Sequence, residues 1–274
     1  MRTRSRAREA LAARWRELTP PERRHPGGTH ALDLADALVP TLDPGDVRWA
    51  HEALAARAKG ELRVSRAGTV QAHAAWSSTA LVASAFAAWR RRAAELPLAG
   101  LGPFGGLRLE ERLHIPHGGG TPNLDVALDG PAGLVGVESK LVEHLAPARP
   151  RPWRPAYHRP AMAAELSGGW RTTFAALRDG SWAPRHLDAG QMVRHALSLR
   201  GRGDLVLLFW EPADAEDHPD VLRHRREVAE LVERVGDARP RLHALSWPAV
   251  LAAWAPVLPR HVAALRQRYD VPIG

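Results

Sequence analysis

The stretch NLDVALDGPAGLVGVESKL, Asn123 to Leu141, decides how this sequence folds. Two runs that alternate apolar and polar residues flank Gly130-Pro131-Ala132, with Asp129 and Gly133 at the edges of the turn. Period-two alternation interrupted by turn-forming residues predicts a β-hairpin. With the turn centred between Pro131 and Ala132, Val126 faces Val137, Leu128 faces Val135 and Asp125 faces Glu138. Side chains alternate along a strand, so Val126, Leu128, Val135 and Val137 share one face, while Asp125, Glu138 and Lys140 share the other.

That second face poses a chemical problem. Carboxylates directly opposed on neighbouring strands, their Cβ atoms roughly 5 Å apart, repel one another unless a cation lies between them. The chain has no cysteine, so a metal would be held by oxygen or imidazole. An oxygen-rich site favours magnesium or manganese, which keep several waters and accept phosphate oxygens. Of the 38 basic residues only Lys59 and Lys140 are lysines, which leaves 36 arginines. Arginine spreads a fixed charge over a planar fork, whereas a lysine ammonium is a compact charge whose pKa follows its surroundings. Beside a metal, Lys140 can orient or help deprotonate an attacking water and stabilise charge on a pentacovalent phosphate.

Working outward, residues 72 to about 96 form a helical run with Trp76, Leu81, Phe86 and Trp89 among small residues, as expected of a core helix. RLEERLHI (108–115) is a strand candidate. After the hairpin, a proline-rich crossing over roughly 146–187 reads as poorly structured, a functional excursion or a small insertion. LDAGQMVRHALSLRG reads as a helix capped by Asp188 and ended by Gly201, and DLVLLFWEP as a buried strand. Another helix, the strand RLHALSW and a terminal helix follow. The expected class is α/β, a mixed central sheet flanked by helices. Residues 1–70 form a helical extension, 71–250 the core and 251–274 a C-terminal helix.

PNLDVALDG followed by VGVESK resembles the PD-(D/E)XK nuclease pattern, with Asp125 as the first acid and Glu138-Ser139-Lys140 as the (D/E)XK element. Pro122 stands three residues before Asp125 instead of next to it. The wider sequence is similar to a bacterial family of restriction-endonuclease-like proteins, in which an SSxAL helix precedes the acids and a QxxxHALGL helix follows them. Here these are Ser77 to Leu81 and Gln191 to Leu199, with Ser198 where glycine is usual; the similarity spans roughly residues 70 to 250.

The resemblance implies an αβββαβ core, dependence on Mg²⁺ or Mn²⁺, and cleavage of phosphodiester bonds in DNA. It makes Asp125, Glu138 and the Ser139 carbonyl metal ligands and has Lys140 act on the water. Gln191 would support the ligands or contact phosphate, with His195 one turn later on the same face, and Glu143 could reach a second metal through water. A homodimer is a further expectation, because restriction enzymes often act with two active sites.

Other signals compete. Glu111, His114 and His117 have a spacing that suggests zinc, but on a strand they alternate faces and do not converge; Glu111 or Glu110 can still point at the acids from the adjoining strand. Gly118-Gly119-Gly120 reads as a mobile loop at the entrance to the site. RPRPWRPAYHRP interleaves Arg151 and Arg154 with Trp153 and Tyr157, a composition suited to backbone contact and base stacking. Its plain alternative is a loop anchored by packed aromatics. The net charge of +8 allows attraction to phosphate backbones, while the basic start, Met1 to Leu18, reads as an exposed helix. No window approaches the roughly 18 apolar residues of a membrane helix, and the absence of cysteine fits a reducing cytoplasm. Besides a nuclease, the sequence admits a nucleic-acid-binding module that keeps the fold without turnover, and a metal hydrolase of small phosphate esters.

Overall fold

The computed structural model describes residues 2–57, 62–148 and 152–274. Lys59 and Arg151 lie outside the described residues. Three helices open the chain: α1 (Thr3–Leu18), α2 (Leu34–Ala37) and α3 (Pro44–Arg57). Ala7, Leu11, Ala12 and Trp15 recur at helical spacing and turn one face of α1 into the core. The basic start is therefore half buried, where the sequence suggests an exposed helix.

Helix α4 (Ser78–Ala87) begins where the Ser77 hydroxyl accepts the Ala80 N–H at 3.1 Å, and all its residues from Thr79 to Ala87 are buried. It is shorter than the run from 72 to 96 suggests. A helix enclosed on every side cannot continue into Arg90-Arg91-Arg92; the chain turns, and Trp89, Ala93 and Leu96 still reach the interior.

The sheet holds β1 (Leu107–Arg112), β2 (Asn123–Gly130), β3 (Gly133–Lys140), β4 (Asp204–Phe209) and β5 (Arg241–Ser246), in that spatial order. The first three strands are antiparallel and the last three parallel. The hairpin has the register expected from its turn, with Val126 opposite Val137 and Leu128 opposite Val135. The order α4-β1-β2-β3-α7-β4 is the anticipated αβββαβ arrangement, and β5 widens it.

Between β3 and β4 lie α5 (Pro160–Ala164), α6 (Gly168–Asp179) and α7 (Ala189–Leu199). The crossing over 146–187 is thus more ordered than its prolines suggest. Leu166, Trp170, Phe174 and Trp182 give it a buried core. Gly168-Gly169 opens α6, which approaches the end of α8 (Pro219–Val235) so closely that a Cβ on Gly169 would lie 2.0 Å from the Arg234 carbonyl oxygen. The chain ends in two helices, α9 (Trp247–Trp254) and α10 (Pro259–Tyr269), where one is expected; Pro256 and Pro259 bracket the break.

Two apolar clusters sandwich the sheet. Val126, Leu128, Val135, Val137, Val206 and Leu208 meet α4, α9 and the N-terminal helices, with Phe86 edge-on to Trp254 at 5.3 Å. On the other face Leu205, Leu207 and Phe209 meet α6, α7 and α8. Among the described residues no helix is long and apolar enough to cross a membrane.

Candidate active site

On β3, Val135 and Val137 enter the first cluster, so Glu138 and Lys140 point toward α7. Helix α7 starts where the Asp188 carboxylate accepts the Gln191 N–H at 2.8 Å, and this start puts Gln191 and His195, one turn apart, over β3. Glu138 is 3% exposed and fully engaged. Its Oε1 accepts from Lys140 Nζ at 2.5 Å and Gln191 Nε2 at 2.7 Å, and its Oε2 from His195 Nε2 at 3.0 Å. Burial alone would raise its pKa; the Lys140 ammonium and the His195 hydrogen bond outweigh burial and bring it down to about 2.

Asp125 stands just beyond the last paired residues of the hairpin, and its carboxylate accepts the Ser139 N–H at 2.6 Å. On its other side β1 is irregular. Leu109 pairs with Val126 and Glu111 with Leu124, so Glu110 stands across from Asp125 but out of the ladder, with a φ of 53°. A left-handed glutamate in a strand costs about 1 to 3 kcal/mol. The distortion keeps Glu110 buried and sends Glu111 to Arg108 at 3.4 Å, while Asn123 Nδ2 donates to Glu110 at 3.1 Å. Leu124 crosses to the second cluster, fitting over Gly136, where an added Cβ would lie 2.8 Å from it. The strand thus changes face at Asp125 and presents its carboxylate to the backbone of β3, a departure from simple alternation.

Charge is poorly balanced here. Burial, then the negative charges of Glu138 and Glu110, push the Asp125 carboxyl well above its usual range, against Lys140 and the Ser139 N–H. Burial favours a neutral Lys140, but Glu138, Asp125 and Glu143 together hold it above the ordinary lysine value. Glu143 folds back on its own turn, its Oε2 accepting from the Leu141 N–H at 2.7 Å and the Val142 N–H at 3.0 Å. Three carboxylates around one ammonium leave an excess of negative charge. Asp125 and Glu138 carry hard carboxylate oxygens, and the Ser139 backbone is held against Asp125 through its N–H. This donor set fits magnesium or manganese completed by water. Among the described residues, no group of three or more histidine and acidic side chains is arranged to hold a metal ion.

The remaining residues singled out in the sequence lie around this centre. Trp153 is half buried, edge-on to Phe174 at 5.1 Å, with the Arg194 guanidinium 5.9 Å from its ring centroid. With Arg154 it lines a cavity of about 240 Å³ beside Gly119 and Gly120. The glycine loop is pinned, since the buried Tyr157 hydroxyl donates to the Gly119 carbonyl at 2.6 Å. His117 pairs with Glu165 at 2.9 Å, apart from Glu111. A cavity of about 400 Å³ next to Lys140 and Gln191 is lined also by Arg4, from the start expected to be exposed, and by His144, His186 and His224, which the sequence does not single out.

A family model described as Restriction Endonuclease associating with ARP matches residues 43–270. No curated protein and no solved structure matches the chain.

Proposed function

The chain belongs to this restriction-endonuclease family, and on that premise we propose that it is a metal-dependent PD-(D/E)XK nuclease cleaving phosphodiester bonds in DNA. The observation that carries the reading is the meeting of Asp125, Glu138 and Lys140 at the end of the hairpin, with excess negative charge around Asp125. Asp125, Glu138 and the Ser139 carbonyl are the proposed ligands of Mg²⁺ or Mn²⁺. Bound there, the ion supplies Lewis acidity and counter-charge for the phosphate. Lys140 is held as an ammonium by its carboxylate neighbours, which favours orienting water and stabilising phosphate charge over taking a proton. Gln191 and His195 fix the rotamer of Glu138, and Glu110 adds negative potential beside Asp125.

Plasmid and linear DNA incubated with Mg²⁺ or Mn²⁺ test the proposal: cleavage that survives Lys140→Ala or Asp125→Ala undiminished defeats it. A metal titration followed by thermal melting gives an independent reading, with stabilisation expected in the wild type and absent in Asp125→Asn.

One observation favours a second reading. Both oxygens of Glu138 are already occupied by donors of the chain itself, as in a structural hub. A binding module without turnover would show tight, salt-sensitive DNA binding and no cleavage with any metal. An association with ARP, as the family description words it, is a partner to test by co-purification.

A further inference from the structure

The cavity of about 400 Å³ beside Lys140 and Gln191 is assembled from distant parts of the chain: Arg4 from α1, His144 after β3, His186 before α7 and His224 from α8. Helix α1 lies outside the matched residues 43–270. The acids of this cavity are engaged elsewhere. Glu143 accepts two backbone N–H groups, and Asp188 caps α7 and meets Arg194 at 3.6 Å.

Its donors are not. Among the described residues both ring nitrogens of His144 and of His224, and the Nε of Arg4, are buried without a hydrogen-bond partner. The two rings are 3% and 1% exposed, with centroids 4.2 Å apart. The Trp210 backbone lies near His144 but meets hydrogen-bond geometry with neither of its nitrogens. Burial brings His144 down to about 3 and His224 to about 2, so each ring is neutral and carries one N–H. His186 is anchored, its Nδ1 2.9 Å from the His144 carbonyl oxygen. Buried donors left unpaired are costly, and a guanidinium fork with two imidazole N–H groups suits a tetrahedral oxyanion.

We infer that this cavity is a phosphate subsite, in which Arg4, His144 and His224 receive the oxygens of a phosphate next to the one held at Lys140. That the phosphate belongs to a nucleic-acid strand rests on the nuclease reading; the phosphate chemistry does not.

Histidine side-chain NMR on the full chain, titrated in EDTA with inorganic phosphate and separately with a short DNA duplex, tests it without cleavage. His224→Phe and His144→Phe assign the signals. Both sets are expected to shift saturably, and Arg4→Ala to weaken each titration roughly tenfold and lower the salt slope of duplex binding by about one, with partial rescue by Arg4→Lys. No saturable shift with either probe, or titrations unchanged in Arg4→Ala, overturns the subsite. Saturation by phosphate with unchanged duplex affinity in Arg4→Ala keeps the phosphate chemistry and assigns it to a free phosphate. Loss of the nuclease reading, seen as cleavage indifferent to Lys140→Ala, would leave the phosphate titration standing.

Discussion

The two faces of β3 are built to different ends. Val135 and Val137 close against aliphatic and aromatic neighbours, and nothing polar interrupts them until Ser139, whose hydroxyl accepts the Trp247 indole N–H at 3.1 Å. Glu138 and Lys140, one residue out of phase, enter a layer where charge is buried and hydrogen-bonded but not neutralised. The contrast teaches that one strand presents a packing face and a buried charged face through side-chain parity alone. Substitutions on one face should cost folding free energy, and on the other, turnover.

The sharpest break of this division is Lys140→Ala or Asp125→Ala, expected to lower DNA cleavage roughly a hundredfold to a thousandfold while the far-UV spectrum stays native. On the apolar side, Phe86→Ala is expected to cost about 3 to 5 kcal/mol in denaturant unfolding with cleavage per folded molecule retained. If that variant loses turnover in proportion to Lys140→Ala, the division fails.

Asp125→Asn refines the comparison. The amide oxygen still accepts the Ser139 N–H, while the carboxylate whose pKa is raised by burial and its acidic neighbours is gone. A raised carboxyl destabilises the fold where it is ionised, so the wild type gains stability as pH falls through that raised value, and the variant should lack this gain. At pH 7.5 the variant is expected to melt about 2 to 4 °C higher, with cleavage lost. Glu138 has the opposite sign. Its pKa of about 2 contributes stability that is complete above the ordinary glutamate value and fades as pH drops toward 2. Glu138→Gln should therefore show a shallower acid-unfolding curve. The smallest effect is expected for Gln191→Ala, about 1 kcal/mol of stability and roughly tenfold in activity, read by melting and kinetics together.

The hairpin was legible because its turn residues and its alternation agree, and they set both the register and the pairing of valines. The capped helix carrying Gln191 and His195 was legible from Asp188. Glu110 was harder to single out: its left-handed backbone breaks the strand period that places Glu111, and no residue type announces a glutamate in that conformation. The face change at Leu124 hides behind an intact-looking alternation for the same reason. The histidine cavity joins positions 4, 144, 186 and 224, and tertiary packing alone brings them together.

Ser139 sits between these two worlds. Its amide holds the aspartate and its hydroxyl is gripped by an indole from the opposite layer, so the anchor of the charged cluster is sunk in the oily half of the molecule. Erosion of that half need not unfold the protein to be felt: a slackened tryptophan would let the serine drift, and a drift of about 1 Å is enough to cost roughly a hundredfold in rate.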